Sequence, residues 1–268
     1  MSRPEEIAPP EFFYNEDEAQ KYTTNSRIMQ IQSEMSERAL ELLELEEPSF
    51  LLDVGCGSGI SGEVLTENNH FWVGLDISKS MLEVALQRET EGNLILSDIG
   101  EGFSFAPGVF DGAISVSALQ WLCNAEKSSH VPYKRLSVFF ESLYRALKRG
   151  SRAVFQFYPS HPQQIELITQ AAVKSGFLAD MIIDYPNSTK AKKYYLVLHN
   201  GSKRGFGVSE AKQDLDQVAV SKRTKHKKVK NRGKTREWIV NKKERQRKLG
   251  KEVRPDSKYT GRKRRDKF

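Results

Sequence analysis

The stretch at residues 49–62, SFLLDVGCGSGISG, constrains the chain more than any other. A short apolar run from Phe50 to Val54, closed by glycines, predicts a parallel strand buried on both faces. Without a Cβ, the glycines that follow let the backbone turn sharply and come close to a ligand. A helix beginning around Glu63 would then point its unpaired N–H groups at that ligand. Strand, glycine turn and helix N-terminus together predict a cradle for a nucleotide-like cofactor.

Two registers compete for that turn. A dinucleotide fingerprint places G-x-G-x-x-G directly after the strand. Counted from Gly55, its third glycine falls on Ile60. Counted from Gly57, the pattern matches through Gly59 and Gly62 but starts two residues late. The spacing Asp53-x-Gly55-x-Gly57-x-Gly59 instead resembles the first motif of class I methyltransferases that use S-adenosyl-L-methionine (SAM). Later strands support this second register. The run Phe71–Leu75 ends in Asp76, where an acid can accept both hydroxyls of a ribose. Leu94–Leu96 ends in Ser97, Asp98 and Ile99, where an acid or its backbone can face an adenine amine. Phe110–Val116 leads into Ser117 and Trp121.

Charge divides the chain. Residues 201–268 carry 25 Lys/Arg against 8 Asp/Glu, a net of +17, leaving 17 against 27, a net of −10, for residues 1–200. An acidic body with a basic tail points to a polyanionic partner met by the tail. Dense basic residues at 222–236, the cluster at 261–265 and the interleaved Trp238 and Tyr259 favour nucleic acid. Two cysteines are too few for a disulfide framework, which predicts a reducing compartment. No stretch reads as membrane-spanning, and no metal site is expected.

The periodicities predict an α/β fold: a seven-stranded, mostly parallel, Rossmann-like sheet with helices on both faces. Three segments follow. Residues 1–48 form an extended lead-in, from Pro4 to Tyr14, and amphipathic helices over the cofactor mouth. Residues 49–200 form the cofactor-binding core, and residues 201–268 a polar, basic, flexible tail with a short helix near Glu237–Leu249. Arg27, on the covering helices, is a candidate clamp for the carboxylate of the methionine moiety.

With these residues in place, the chain resembles the eukaryotic methyltransferases that make 7-methylguanosine in small-subunit ribosomal RNA. The likeness runs nearly end to end. It includes RPE at 3–5, PPEFFY at 9–14, LDVGCGSG at 52–59, GLDIS at 74–78, ALQWLCNA at 118–125 and QFYP at 156–159. KKER at 242–245, RPD at 254–256 and YTGRKR at 259–264 are the most specific, since a generic SAM fold does not need them. The resemblance implies a class I SAM methyltransferase with a cofactor set of Asp53, Gly55, Cys56, Gly57, Asp76, Ile77, Met81, Asp98, Ile99 and Ser115, with Arg27. It implies a nuclear enzyme of ribosome biogenesis, in nucleolus and nucleoplasm with the cytoplasm as a second location. It also implies a heterodimer with a small zinc-binding activator subunit that extends the sheet, with Leu94–Leu96 as the edge that receives it. Rival readings are an assembly factor whose methylation is dispensable and a SAM enzyme acting on a non-RNA substrate.

Guanine N7 carries an in-plane lone pair and no proton, so its methylation needs alignment but no general base. The sequence agrees: its five His are scattered, and Ser117-Ala118-Leu119-Gln120 is not the Asn/Asp-Pro-Pro-Tyr/Phe signature of exocyclic amine methylation. A base drawn out of its stack needs an aromatic wall, for which Trp121 and Tyr158 are the candidates.

Overall fold

The structure is a computed structural model describing residues 3–125, 127, 130–188 and 191–201, together with residues 240, 243, 247 and 254–257. The chain divides into two compact units, Met1–Leu215 and Asp216–Phe268.

In the first unit, three N-terminal helices, α1 (Pro10–Phe13), α2 (Glu16–Thr24) and α3 (Ser26–Leu43), precede the sheet. The lead-in is not extended: Pro4–Glu6 forms a 3₁₀ turn and α1 follows at once. Pro4 and Pro10 each occupy the first helical position, where a missing N–H costs nothing and the fixed φ suits a helix. Strands and helices then alternate as β1 (Phe50–Val54), α4 (Ile60–Glu67), β2 (Phe71–Asp76), α5 (Lys79–Gln87), β3 (Asn93–Leu96) and β4 (Phe110–Val116). After a 3₁₀ turn at Leu119–Cys123 come α6 (Pro132–Ala146), β5 (Leu147–Phe157), α7 (Pro162–Lys174), β6 (Leu178–Asp184) and β7 (Lys193–His199).

The seven strands form one sheet in the order β3-β2-β1-β4-β5-β7-β6. Strands β3, β2, β1, β4 and β5 run parallel, and β7 lies antiparallel between β5 and β6. The order reverses between β1 and β4, so a crevice opens beyond their carboxyl ends, the usual ligand position in an open α/β sheet.

Pleat alternation sorts the side chains into two layers. Leu52, Val54, Ala113 and Phe155 face α6 and α7, packing with Phe139, Phe140 and Ile168. Leu51, Ile114 and Val154 face α3, α4 and α5, packing with Leu42, Leu43, Leu65 and Leu82. Trp72 lies in this second layer against Gly62, where a Cβ would stand 2.1 Å from the indole. That glycine, the third of the dinucleotide register, is required by packing. Arg38 ties α3 to β6 through Asp184 at 3.0 Å.

Strand β3 closes one side of the sheet and pairs with β2 alone among the described residues. Ile95 and Leu96 on it are 39% and 56% exposed. Among the described residues no helix is long and apolar enough to cross a membrane.

In the second unit, Val240, Lys243 and Arg247 are helical. Lys243 and Arg247 both reach the Asp256 carboxylate, at 2.9 and 2.6 Å. The expectations made for residues 222–236, for Trp238 and Tyr259, and for the cluster at 261–265 lie outside the described residues.

Candidate functional site

A cavity of about 920 Å³, its open mouth included, lies at the carboxyl ends of β1, β2, β3 and β4. The glycine turn forms its floor. Gly55, Gly57 and Gly59 all have positive φ. Gly57, at φ +52°, also faces Met81, whose Cε would lie 2.9 Å from an added Cβ, so conformation and space both favour glycine there.

Asp76 ends β2 inside the cavity. Its Oδ2 accepts the Gly57 N–H and its Oδ1 the Ser78 N–H, each at 2.8 Å. Burial pushes its carboxyl up to about 6, against the pull of backbone N–H groups of Ser78, Gly57 and Ile77. Each oxygen retains lone-pair capacity, so a vicinal diol can still bind. Ser78 caps α5 by accepting the Met81 N–H at 3.2 Å, and donates its own hydroxyl to the Tyr14 carbonyl at 2.9 Å. The N-terminal segment is thereby fastened over the cavity.

Asp98, one residue beyond Ser97 after β3, also lines the cavity. Its Oδ1 accepts the Gly100 N–H at 2.8 Å and Arg135 Nη2 at 2.7 Å. At the end of β4, Ser117 takes a φ of +60°. Its N–H and hydroxyl both reach Gln156 Oε1, at 3.1 and 3.0 Å. Backbone strain held in place by such contacts is a mark of functional sites. Trp121, on the turn that follows, is walled by Phe13 and Tyr14, with ring centroids 6.1 and 5.9 Å away. Tyr14 and Tyr22 line the cavity from the N-terminal side, and burial raises both phenols. The Ser58 hydroxyl, on the glycine turn, is buried without a partner among the described residues.

The structure thus brings together at the cavity Gly55, Cys56, Gly57, Asp76, Ile77, Met81, Asp98, Ile99 and Trp121. Four other residues expected at the site lie off its wall. Asp53 sits on the Leu51 face of β1, fully buried, with Oδ2 accepting the Ser61 hydroxyl at 2.6 Å. Burial pushes it up to about 7, with the Ser61 hydrogen bond opposing and the Asp76 charge assisting. Ser115, likewise turned into the layers, donates its hydroxyl to the Val54 carbonyl at 2.6 Å. Arg27 is exposed at the start of α3, where its own N–H is capped by Asn25. Tyr158 accepts Lys193 Nζ at 2.7 Å, and Lys193 lies 4.9 Å above its ring, so that face is taken. Sequence reasoning missed Tyr14, Gln32, Ser58 and Arg135. The first two come from a lid packed over the sheet by tertiary contacts, and Arg135 meets Asp98 only through the topology.

The family described as "Methyltransferase domain" matches residues 52–155, and that described as "Methyltransferase involved in Williams-Beuren syndrome" matches residues 200–266. The 18S rRNA (guanine-N(7))-methyltransferase of Mus musculus is 55% identical, over 99% of this chain and 98% of its own. The 18S rRNA (guanine(1575)-N(7))-methyltransferase of Saccharomyces cerevisiae is 50% identical over the whole of both chains. Among solved structures, the Haemonchus contortus phosphoethanolamine N-methyltransferase 2 in complex with S-adenosyl-L-methionine is similar at TM-score 0.55 and 16% identity, over 75% of this chain and 61% of its own. A methyltransferase in complex with the Haloferax volcanii Trm112 methyltransferase activator is similar at TM-score 0.51 and 18% identity, over 69% of this chain and 98% of its own. Both structures share the fold.

Proposed function

The chain belongs to the family of 18S rRNA (guanine-N7)-methyltransferases, and from that membership we propose how its cavity works. It is a SAM-dependent enzyme that forms 7-methylguanosine in small-subunit ribosomal RNA. The observation that carries the reading is the pairing of a glycine turn, crowded at Gly57, with an acid at each of the next two strand tips.

The residues present fit SAM. Asp76 would hold the ribose hydroxyls on lone pairs left over from Gly57 and Ser78. Asp98 and Ile99 would take the adenine. Ser58, whose buried hydroxyl has no partner among the described residues, serves the amino-acid end with Tyr22 and Gln32 of the lid. Arg27, exposed on α3, is not part of the set. When bound, SAM supplies a methyl group on a sulfonium, already activated for transfer.

The chain's task is therefore to position and to shield. Guanine N7 brings its own lone pair, so no residue has to remove a proton. Trp121, braced by Phe13 and Tyr14, forms the flat wall against which an unstacked guanine is held. Closure by the N-terminal segment, fixed through Ser78 and Tyr14, keeps water from the reacting atoms. Ser117, in its left-handed conformation, carries the chain from β4 to the Trp121 turn.

The partner reading is a small methyltransferase activator added as a further strand at β3. Exposed Ile95 and Leu96 on an edge strand support it, since such an edge invites pairing or cover. The basic tail, at a net of +17 over residues 201–268, serves preribosome binding and nuclear import, placing the enzyme in subunit maturation. Transfer from methyl-labelled SAM to purified small-subunit rRNA, followed by nucleoside digestion, tests the activity. Label in 7-methylguanosine is expected; label in another nucleoside or in protein would refute it.

A further inference from the structure

The two acids of the cavity are held differently. The Gly57 and Ser78 N–H groups fall on different oxygens of Asp76, whereas Asp98 takes both Gly100 N–H and Arg135 Nη2 on Oδ1 alone. Arg135 comes from α6, far from β3 in sequence, and lines the same cavity. Its side chain is 11% exposed and that of Asp98 19%, so water screens this pair far less than a surface pair. Nη1 lies 2.8 and 2.9 Å from the two ring nitrogens of His130, which as a neutral imidazole can accept through one of them.

Stability alone does not explain the arrangement. Arg135 Nε is buried without a partner among the described residues, and an unmade hydrogen bond on a buried guanidinium is destabilising. The chain nevertheless makes room for it. A Cβ on Gly100 would stand 2.4 Å from both Nε and Nη2, so with glycine the guanidinium crosses the turn after β3 where any side chain would displace it.

We propose that Arg135 is a positioning residue that fixes the Asp98 carboxylate for the exocyclic amine of the SAM adenine, and so makes the enzyme selective for an adenine-bearing donor. The inference rests on the reading of this cavity as the SAM site. A carboxylate only accepts hydrogen bonds. With Oδ1 pinned by two donors, the group cannot rotate freely, and Oδ2 is left for the amine. Hypoxanthine presents a carbonyl oxygen in place of that amine, setting acceptor against acceptor. Sites that hydrogen-bond a substrate NH reject analogues lacking it far better than apolar sites reject a missing methylene.

Calorimetric titration of the full chain with S-adenosylhomocysteine and with S-inosylhomocysteine separates this role from a structural one. The wild type should favour the adenosyl ligand by at least about tenfold, the worth of one charge-assisted hydrogen bond. Arg135→Gln should lose about that factor on the adenosyl ligand and leave the inosyl ligand unchanged, so that selectivity collapses. Gly100→Ala keeps the cation but displaces its flexible end, and should reproduce the collapse in a chain that folds normally. Equal weakening of both ligands, or undiminished selectivity in Gly100→Ala, would overturn the proposal. Failure of the wild type to bind either ligand would overturn the SAM reading itself, which is a separate result.

Discussion

Asp76→Asn puts the cofactor site under direct test. In the wild type, Oδ1 and Oδ2 each accept a backbone N–H at 2.8 Å, from Ser78 and Gly57. An amide offers one oxygen, so one of those N–H groups would face an NH2 instead, and one ribose hydroxyl would lose its acceptor. A hydrogen bond to a charged group contributes about 1.5–3 kcal/mol. Losing one at the ribose costs about that much in binding, or roughly tenfold to a hundredfold in affinity. Titration with S-adenosylhomocysteine at neutral pH measures it, with circular dichroism to confirm folding. The pH dependence sharpens the test. Burial raises Asp76 from 3.8 to about 6, and its ionised form is the better acceptor for the diol. Wild-type affinity is therefore full above about pH 7 and falls as pH drops through 6, becoming roughly tenfold weaker by about pH 5. The Asp76→Asn variant should show no such fall. Affinity within about threefold of wild type, or a wild-type loss on the alkaline side instead, would refute the reasoning.

Other outcomes follow from the same structure. Asp53 is raised from 3.8 to about 7, so the native state holds an extra proton between those values and loses stability as pH rises through that window. Asp53→Asn, neutral throughout, should therefore stabilise the fold at about pH 8 by on the order of 2 kcal/mol after the unpaired amide N–H is discounted, read as a raised Tm, and give no gain near pH 4. An equal shift at both pH values would contradict this. Gly62→Ala would drive a Cβ into Trp72, costing about 1–3 kcal/mol and several degrees of Tm, while S-adenosylhomocysteine affinity holds; loss of binding without loss of stability would restore the dinucleotide register. Trp121→Ala should cut methyl transfer about 10–100-fold and spare cofactor affinity if the indole stacks guanine, as titration and labelled-methyl assays run side by side would reveal. Ile95→Lys should abolish co-purification with the activator, because a charged edge strand resists further pairing; unchanged association would move the interface elsewhere.

What the sequence made legible is the part governed by local rules. The apolar run of β1, the glycine turn and the acids at the tips of β2 and β3 are all signalled by composition over a few residues. Side-chain direction was harder to read. Asp53 and Ser115 belong to strands beside the cavity, yet the pleat turns both into the packed layers, toward Ser61 and Val54. Tyr158 lies just past β5, but Lys193, across the antiparallel β5–β7 pair, covers its ring and binds its hydroxyl. The prolines of the lead-in suggested extended chain, where instead they open short helical turns that carry Tyr14 to Ser78. Arg135 meets Asp98 because α6 packs beside the turn after β3, a contact that no local pattern encodes.

A crystal structure of the chain with S-adenosylhomocysteine tests the central claim most directly. The account predicts the thioether ligand lying across Gly57, with its ribose hydroxyls on the two oxygens of Asp76 and its adenine amine on Asp98. A ribose bound away from Asp76, or an adenine that leaves Asp98 untouched, would contradict it.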